Sequence, residues 1–355
     1  MATLPEAYKE IPLALKHIIP LDFKSIDSVP DSHAWPKTNI NNDIHVQSEN
    51  IFDEKSISIP VVDLMAPNVE ETIGGACQTW GVFRLINHGI PANLVEEVEF
   101  QTARLFALPS ELKMKVLRSP GGATGYGAPR ITPFFPKFMW HEGFTIIGSP
   151  LGHARELWPH DYQHFCDVME NYQKQMKALA YKILILMLKS IGVSEEELNW
   201  KSSSSSSSSS MAAESESALQ LNSFPTCPDP TIAIGLADHT DSMLFTILHQ
   251  SPTKGLQIFK DGIGWITVPP VAGSFVVNTG DLLHIYSNGK FPSVRHRVLV
   301  NKDRHRYSVG FFYGPPSNSR IAPLDKCPIY RSVTVKEFLS LKAKYLTDAI
   351  SLMKI

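Results

Sequence analysis

The sequence predicts a mainly β fold, either a sandwich, a barrel or a jelly roll, with flanking helices. Short strand-like runs separated by turns follow one another from residue 218 onwards, and such spacing is typical of sandwiches and barrels. The 26 prolines and 21 glycines of the 355-residue chain imply many turns. A contrasting pattern occurs at Tyr172–Ile191, where apolar residues recur at three- and four-residue steps and predict a long helix.

The first half of the chain predicts fewer regular elements. Residues 1–55 carry Pro, Asn, Asp and Ser without a clear period, and we expect them to form an arm over the body. Two short runs, Ser56–Leu64 and Val82–Ile90, predict strands with a helix between them. The segment Pro91–Phe106 is predicted to be helical, because proline is favoured in the first turn of a helix. The Gly- and Pro-rich residues 119–136 predict a loop.

The second half begins with a low-complexity insertion. The nine consecutive serines Ser202–Ser210 predict a flexible loop, because they bury too little apolar surface to offset the entropy of ordering. Ser194 and Glu197 match a capping box for a short helix, and Thr334–Leu352 predicts helix again. The strand-like runs are ALQLNSF, GLQIF, WITVPP, SFVVNTGDLLHIYS, VRHRVLVN and RYSVGFFYG. We therefore divide the chain into an N-terminal arm (1–55), an N-terminal region (56–165), the long helix with the serine loop (166–217), the β core (218–318) and a helical tail (319–355).

The composition is that of an ordinary globular protein, with 43% hydrophobic residues, 19% charged residues and a formal net charge of −2. It lacks the basic surplus of a nucleic-acid-binding domain. The most apolar stretch, Ala178–Leu188, is shorter than the roughly 20 residues of a membrane span, and no secretory signal pattern is present. The four cysteines form no CxxC pair, which predicts free thiols in a reducing compartment. We expect a cytoplasmic protein without nucleic-acid or membrane partners, and the oligomeric state stays open.

Polar residues interrupt the strand-like run Leu236–Gln250. His239 and Asp241 stand two positions apart there, where strand propensity does not favour them. One such pair carries little weight in a chain with 13 histidines. In the run VRHRVLV, alternation places His296 on the same face as three valines, so it is the polar member of an apolar face. A hydrogen-bonded core histidine is the alternative interpretation of that residue.

A second group of polar residues shares a strand face farther along. In the run RYSVGFF, one face of the strand carries every second residue: Arg306, Ser308, Gly310 and Phe312. Two polar donors are costly if they are buried without partners, so they favour a bound anion. Guanidinium offers a planar fork to a carboxylate and serine adds a hydroxyl donor, while Gly310 leaves room for a ligand to approach.

Two histidines and one carboxylate, with other positions open, form the ligand set of non-haem Fe(II) oxygenases. His239, Asp241 and His296 supply that set, and the open positions accept a chelating co-substrate and dioxygen. The lack of cysteine ligands argues against a structural zinc site. Asp281 and His284 are rival ligands by composition. We leave both out, because Asp281 follows a predicted turn and His284 has no matching partner.

The ordered set of motifs resembles the plant 2-oxoglutarate- and Fe(II)-dependent dioxygenases. The matching segments are WGVFRLINHGIP (Trp80–Pro91), LNSFPTCPDP (Leu221–Pro230), HTD (His239–Asp241), NTGDLLHIYSNGKFPSVRHRV (Asn278–Val298) and RYS (Arg306–Ser308). Within that family, MWHEGFTIIGSP (Met139–Pro150) and LQLNSFPTCPDP are most similar to the gibberellin 3-beta-hydroxylases, also called gibberellin 3-oxidases.

The resemblance implies a fold and a set of cofactors. The fold is a double-stranded β-helix, a jelly-roll core wrapped by α-helices. The cofactor is Fe(II), held by His239, Asp241 and His296, and the co-substrates are 2-oxoglutarate and dioxygen, with ascorbate as reductant. The resemblance also implies that Arg306 and Ser308 hold the distal carboxylate of 2-oxoglutarate.

The co-substrate site is also where the sequence departs from the family. Asn222 lies on the strand that the resemblance places at the edge of this site. Phe224 stands where much of the family has a tyrosine whose hydroxyl touches 2-oxoglutarate. Loss of one such hydrogen bond costs on the order of 1 kcal/mol, so we expect weaker co-substrate binding and retained activity. Asp238 and His141 are further departures: the first replaces a small residue and is predicted to turn away from the metal, and the second replaces a serine.

The implied reaction is 2-oxoglutarate-dependent hydroxylation of gibberellin precursors at carbon 3, with release of succinate and carbon dioxide. Gibberellins are rigid apolar acids, and they require a mostly apolar pocket with a few placed polar groups. The candidate substrate-binding residues are Tyr126, Trp140, Gln220 and Phe312. Oxidation at carbon 2 or 20, another plant metabolite as substrate, and a non-catalytic terpenoid binder are the alternatives. A binder would be expected to have lost a ligand, and this chain retains all of them.

Overall fold

The computed structural model describes residues 4–36, 58–195 and 215–355. The strands are β1 (Val61–Asp63), β2 (Val82–Ile86), β3 (Gly125–Gly127), β4 (Glu142–Ile146), β5 (Glu216–Phe224), β6 (Ile234–His239), β7 (Phe245–Gln250), β8 (Leu256–Lys260), β9 (Gly264–Thr267), β10 (Phe275–Thr279), β11 (His296–Leu299), β12 (Arg306–Gly314), β13 (Arg320–Ile321) and β14 (Val333–Thr334). The helices are α1 (Leu4–Lys9), α2 (Val69–Thr79), α3 (Ala92–Phe106), α4 (Ser110–Met114), α5 (Leu151–Leu157), α6 (Gln163–Lys189), α7 (Asp281–Tyr286) and α8 (Val335–Tyr345). Short 3₁₀ helices cover Leu15–His17, Phe23–Ser25, Thr132–Phe134 and Leu346–Met353.

Two sheets form the β core. The larger has eight strands in the order β1-β2-β10-β7-β12-β5-β4-β3, and the smaller has four in the order β6-β11-β8-β9. β1 runs parallel to β2, and the remaining neighbours in both sheets are antiparallel. The predicted fold class, a sheet-rich jelly roll with flanking helices, is confirmed. Four strands of the larger sheet come from residues 61–146, so the N-terminal region and the β core share one sheet.

The long helix α6 covers the larger sheet because it has a continuous apolar stripe. Met169, Met176, Ile183 and Met187 are fully buried along it and follow the three- and four-residue steps of one helix face. The predicted helix at Tyr172–Ile191 is therefore confirmed, although it begins nine residues earlier, at Gln163. The predicted helix at Pro91–Phe106 is also present as α3.

Three elements differ from expectation. The apolar run SFVVNTGDLLHIYS is a strand only to Thr279 and then forms helix α7, because a short apolar run does not distinguish a buried strand from a buried helix. The predicted loop 119–136 contains the short strand β3. The helical tail changes after Tyr345 into the 3₁₀ helix Leu346–Met353. The serine run and Glu197 lie outside the described residues.

The N-terminal segment packs against the body at both of its ends. Lys336 in α8 forms an ion pair with Glu10 at 2.7 Å, and the indole of Trp35 donates a 2.9 Å hydrogen bond to the carbonyl of Phe138. Between them, the backbone N–H of Ala128 donates to the carbonyl of Ile18. These contacts hold the segment beside the cavity described below. In the part of the chain that the structure describes, no helix has the length and apolarity needed to cross a bilayer.

Candidate active site

Two histidines face each other across one strand pair. His239 ends β6 and His296 begins β11, and they are direct partners in the antiparallel register. Their ring centroids are 4.2 Å apart. Asp241 follows β6 by two residues, and its Oδ1 lies 3.8 Å from Nε2 of His239 and 3.7 Å from Nε2 of His296. One ligand atom from each residue falls within 4.8 Å of the other two, so the three can hold a metal ion.

Backbone carbonyls set the orientation of both imidazoles. Nδ1 of His239 lies 2.7 Å from the carbonyl oxygen of Ala237, and Nδ1 of His296 lies 3.1 Å from that of Val294. A carbonyl can only accept, so Nδ1 carries the proton in each ring and the Nε2 lone pair is available to a metal. Such outer hydrogen bonds are the usual way in which a protein fixes a metal-binding histidine.

Two further side chains hold the carboxylate of Asp241. Thr246 donates a 2.6 Å hydrogen bond and Asn278 a 2.9 Å hydrogen bond to Oδ2, which leaves Oδ1 toward the histidines. Sequence reasoning did not identify these roles. One signal was present, because Asn278 follows three apolar residues in strand β10, in which every residue is buried.

The electrostatics suit a divalent cation. Burial, and then the neighbouring imidazole of His296, hold the pKa of His239 far below its ordinary value. Burial raises the pKa of Asp241, but the two imidazoles and the hydrogen bonds from Thr246 and Asn278 outweigh it, so the net shift is downward. A neutral imidazole beside an ionised carboxylate is the protonation state that a metal ion needs. Two imidazoles and one carboxylate with open positions are the donor set of non-haem Fe(II).

Arg306 is the second charged centre of the site. Its side chain is only 1% exposed, and burial lowers its pKa to about 9, which leaves it cationic at neutral pH. Its Nη1 lies 3.3 Å from the hydroxyl of Ser308, and its Nη2 donates a 2.8 Å hydrogen bond to Gln250. Its Nε has no partner among the described residues. A buried guanidinium without a carboxylate, next to a hydroxyl, is a site for an anionic ligand.

Asn222 and Phe224 border Arg306 from strand β5. In the β12–β5 pairing, Arg306 is opposite Phe224 and Ser308 is opposite Asn222. The guanidinium carbon of Arg306 lies 5.0 Å from the centroid of the Phe224 ring, within cation–π range. Nε2 of His141 lies 2.9 Å from Oδ1 of Asn222. The aromatic ring therefore packs on the guanidinium where a tyrosine would also offer a hydroxyl.

A cavity of about 540 Å³ joins these centres, and its volume is within the range of small-molecule sites. The three metal-ligand candidates line it together with Arg306 and Ser308, so the cavity lies between the two sheets. Gln220, Gly310 and Phe312 are also on its wall. Alternation predicted a shared face for Arg306, Ser308, Gly310 and Phe312, and all four line the cavity.

Two of the predicted substrate-binding residues lie elsewhere. Tyr126 is buried, and its hydroxyl donates a 2.6 Å hydrogen bond to Glu142, which also pairs with Lys113. Trp140 packs on Phe23 with ring centroids 4.9 Å apart. Their chain neighbours Gly127 and His141 line the cavity instead. Neither Tyr126 nor Trp140 is among the residues that line this cavity, because adjacent residues of an extended segment point to opposite sides.

The remaining polar candidates have structural partners. Asp238 points away from the cluster and forms an ion pair with Arg295, as alternation predicted. Asp281 is fully buried and pairs with Lys342 at 2.5 Å. His284 bonds the carbonyl of Phe291 and the hydroxyl of Tyr330, at 2.8 Å each. Neither Asp281 nor His284 belongs to the metal-ligand cluster.

Comparison with known proteins agrees with this geometry. The profile of the 2OG-Fe(II) oxygenase superfamily matches residues 215–315, and that of the non-haem dioxygenase in morphine synthesis N-terminal region matches residues 59–163. The chain is 49% identical to gibberellin 3-beta-dioxygenase 1 of Pisum sativum, over 100% of this chain and 94% of the relative. It is 46% identical to gibberellin 3-beta-dioxygenase 1 of Arabidopsis thaliana, over 99% of this chain and 98% of the relative.

Solved structures give the same fold. The crystal structure of JOX2 in complex with 2OG, Fe and JA superposes with a TM-score of 0.77 at 26% identity, covering 93% of this chain and 95% of that chain. The rice dioxygenase for auxin oxidation superposes with a TM-score of 0.68 at 23% identity, covering 84% of this chain and 100% of that chain. Fe(II) and 2-oxoglutarate are the cofactor and co-substrate of the superfamily. The cluster of two histidines and one aspartate fits Fe(II), and Arg306 with Ser308 fits a carboxylate of 2-oxoglutarate. The chain therefore belongs to the 2OG-Fe(II) oxygenase superfamily, in the family of the plant gibberellin 3-beta-dioxygenases.

Proposed function

We propose that this chain catalyses the 2-oxoglutarate-dependent hydroxylation of gibberellin precursors at the 3β position, giving bioactive gibberellins with succinate and carbon dioxide. The observation that carries the reaction class is the convergence of His239, Asp241 and His296 on one cavity that also holds Arg306. Full-length similarity to gibberellin 3-beta-dioxygenases, at 49% identity for the pea relative, supports the substrate and the position of oxidation.

His239, Asp241 and His296 hold Fe(II) in this proposal, through the two Nε2 atoms and Oδ1. The hydrogen bonds from Thr246 and Asn278 to Oδ2 keep the carboxylate aimed at the metal. When bound, Fe(II) supplies the oxidising chemistry, which couples the decarboxylation of 2-oxoglutarate by dioxygen to the insertion of one oxygen atom into a substrate C–H bond.

Arg306 and Ser308 bind the distal carboxylate of 2-oxoglutarate. The guanidinium is cationic, buried and without a carboxylate partner among the described residues, so a ligand carboxylate supplies the missing counter-charge. Phe224 orients the guanidinium by stacking on it, and Asn222 holds the Ser308 hydroxyl at 3.5 Å. These contacts aim the co-substrate so that its keto acid end reaches the metal.

The protein directs oxidation by the way it positions the substrate. Gln220 and Phe312 contribute to the wall that faces the substrate, with apolar residues such as Leu248 and Val298 around them. A rigid hydrocarbon skeleton matches such a wall, and burial excludes water from the reacting carbon. The compartment we propose is the cytoplasm, which the four free cysteines support because disulfides are rare there.

Product analysis tests this function. Purified protein with Fe(II), ascorbate and 2-oxoglutarate is given a panel of 3-deoxygibberellins, 20-carbon precursors and one flavanone, and products are identified by mass spectrometry. The expected result is a 3β-hydroxylated gibberellin with matching succinate. Oxidation at carbon 2 or 20 would overturn the assigned position, and an oxidised flavanone would overturn the substrate class. His296→Ala should abolish turnover while the protein stays folded, and full substrate-dependent succinate production by that variant would contradict the ligand assignment.

A further inference from the structure

The cavity carries more positive charge than its own carboxylates balance. Among the described residues that line it, the arginines and lysine are Arg118, Arg130, Arg306 and Lys342, whereas Asp241 is the only carboxylate. Asp241 already belongs to the metal-ligand cluster. A cavity with this excess favours an anionic ligand over a neutral one.

Two of the four cations have an assigned partner. Lys342 forms a 2.5 Å ion pair with Asp281, and Arg306 binds 2-oxoglutarate in the function proposed above. Arg118 and Arg130 remain. The hydrogen bonds of their guanidinium groups go to backbone carbonyls, and neither pairs with a carboxylate of the described residues.

Each of these two arginines is held firmly in place. Arg118 is only 4% exposed, and its Nη2 donates a 2.7 Å hydrogen bond to the carbonyl of Ala128. Arg130 is half-buried, and its Nη1 donates a 2.7 Å hydrogen bond to the carbonyl of Gly122. The Arg130 guanidinium also lies 4.0 Å from the ring centroid of Tyr8, on the N-terminal segment. The pair is therefore preorganised on one side of the cavity, where Tyr8 also lines the wall.

The two guanidinium groups repel each other. Burial, and then the charge of Arg130, lower the pKa of Arg118 to about 10, so it stays protonated at neutral pH. Burial also lowers the pKa of Arg130. Two neighbouring cations, one buried and one half-buried, are unfavourable when no carboxylate of the described residues pairs with them. An anion placed between them removes both the repulsion and part of the desolvation cost.

We propose that Arg118 and Arg130 form the subsite that binds the carboxylate of the gibberellin substrate. This inference rests on the proposed function, from which it takes an apolar substrate with one acidic group. The 2-oxoglutarate carboxylate has its own site at Arg306, so the substrate is the remaining source of an anion. The subsite would anchor the acidic end of the skeleton and thereby select free acids over neutral analogues.

Equilibrium binding of an acid and its ester tests this subsite. A 3-deoxygibberellin with one free carboxyl and its methyl ester are titrated anaerobically into Fe(II)- and 2-oxoglutarate-loaded protein by calorimetry. Wild type should bind the acid about 10- to 100-fold more tightly, the range expected for charge-assisted hydrogen bonds. Arg130→Gln should weaken acid binding by a similar factor and leave ester binding unchanged, whereas Arg130→Lys should retain part of the preference. Arg118→Gln should have the same effect as Arg130→Gln, and Arg118→Lys the same effect as Arg130→Lys. If the Arg118 variants do not fold, the result for Arg130→Gln decides the test.

Arg84→Gln is the matched control. Nε of Arg84 also lacks a partner among the described residues, but Arg84 does not line the cavity, so its replacement should leave both affinities unchanged. The subsite is overturned if wild type binds acid and ester equally or binds neither, or if Arg130→Gln weakens both alike. Failure of the proposed function is separate: acid preference that depends on Arg130, without any 3β-hydroxylated product, would overturn the reaction and support the subsite.

Discussion

Thr246 donates a 2.6 Å hydrogen bond to Oδ2 of Asp241, five residues before it in the chain. Both residues are buried, and Asn278 donates to the same oxygen. The carboxylate that completes the candidate metal site is therefore fixed by neutral donors on two neighbouring strands, β7 and β10. Its position does not depend on the metal alone.

Thr246→Val should weaken metal binding. Valine has nearly the same shape but cannot donate to Asp241, and loss of such an outer hydrogen bond typically lowers metal affinity about 10- to 100-fold. Anaerobic titration with Fe(II) measures the change. Thr102→Val is the control, because the Thr102 hydroxyl is buried but bonds a helix carbonyl in α3. Equal Fe(II) affinity in the Thr246 variant and wild type would show that the hydrogen bond from Thr246 to Asp241 does not contribute to metal binding.

Phe224→Tyr should strengthen 2-oxoglutarate binding several-fold. The ring packs on Arg306 and lines the cavity, so we expect a hydroxyl added to it to reach the co-substrate, and one more hydrogen bond contributes about 1 kcal/mol. Phe224→Leu should act in the opposite direction, because it removes the aromatic face from the guanidinium. Anaerobic binding of 2-oxoglutarate to the Fe(II) protein distinguishes the variants. Weaker 2-oxoglutarate binding by Phe224→Tyr would contradict the prediction that phenylalanine at this position lowers the affinity for the co-substrate.

Lys342→Met should destabilise the fold strongly. Its Nζ lies 2.5 Å from both Thr240 and Asp281, and removal of the lysine leaves a buried carboxylate unpaired. Such a loss costs about 3–5 kcal/mol. Lys336→Met, on the same helix, removes an exposed ion pair with Glu10 and should cost at most about 1 kcal/mol. Urea unfolding of the two variants compares them, and equal destabilisation would contradict the buried role of Lys342.

Stability should fall as the pH drops from about 6.5 toward 4. Burial lowers the pKa of both His141 and His33 to about 4, so between these values the unfolded chain binds protons that the folded chain does not. Each such histidine contributes at most about 1.4 kcal/mol per pH unit in that window, and nothing above it. His141→Asn should therefore make the pH dependence of the unfolding free energy shallower. His160→Asn, an exposed control, should not, and an unchanged slope in the His141 variant would refute this account.

The candidate ligands were predictable because their pattern is local. His239 and Asp241 lie two residues apart, and alternation alone orients His296 and Arg306 toward the interior. Thr246 and Gln250 were missed, because their roles depend on how the strand order β10-β7-β12 sets β7 beside Asn278 and Arg306. No local pattern shows which distant residues such a register brings together.

Two other outcomes depended on packing between distant segments. Lys342 meets Asp281, 61 residues earlier in the chain, and no periodicity in the C-terminal helix marks that partner. Trp140 was expected in the pocket as an aromatic residue of a loop. It packs instead on Phe23 of the N-terminal segment, whose path over the body cannot be derived from its composition.

The most direct test of the central claim is the fate of a label at carbon 3. A 3-deoxygibberellin deuterated at the 3β position is incubated with the Fe(II)- and 2-oxoglutarate-loaded protein, and product and succinate are quantified together. The account predicts a hydroxylated product that has lost this deuterium, with one succinate per product. Full retention of the label in a product oxidised at carbon 2 or 20 would contradict it.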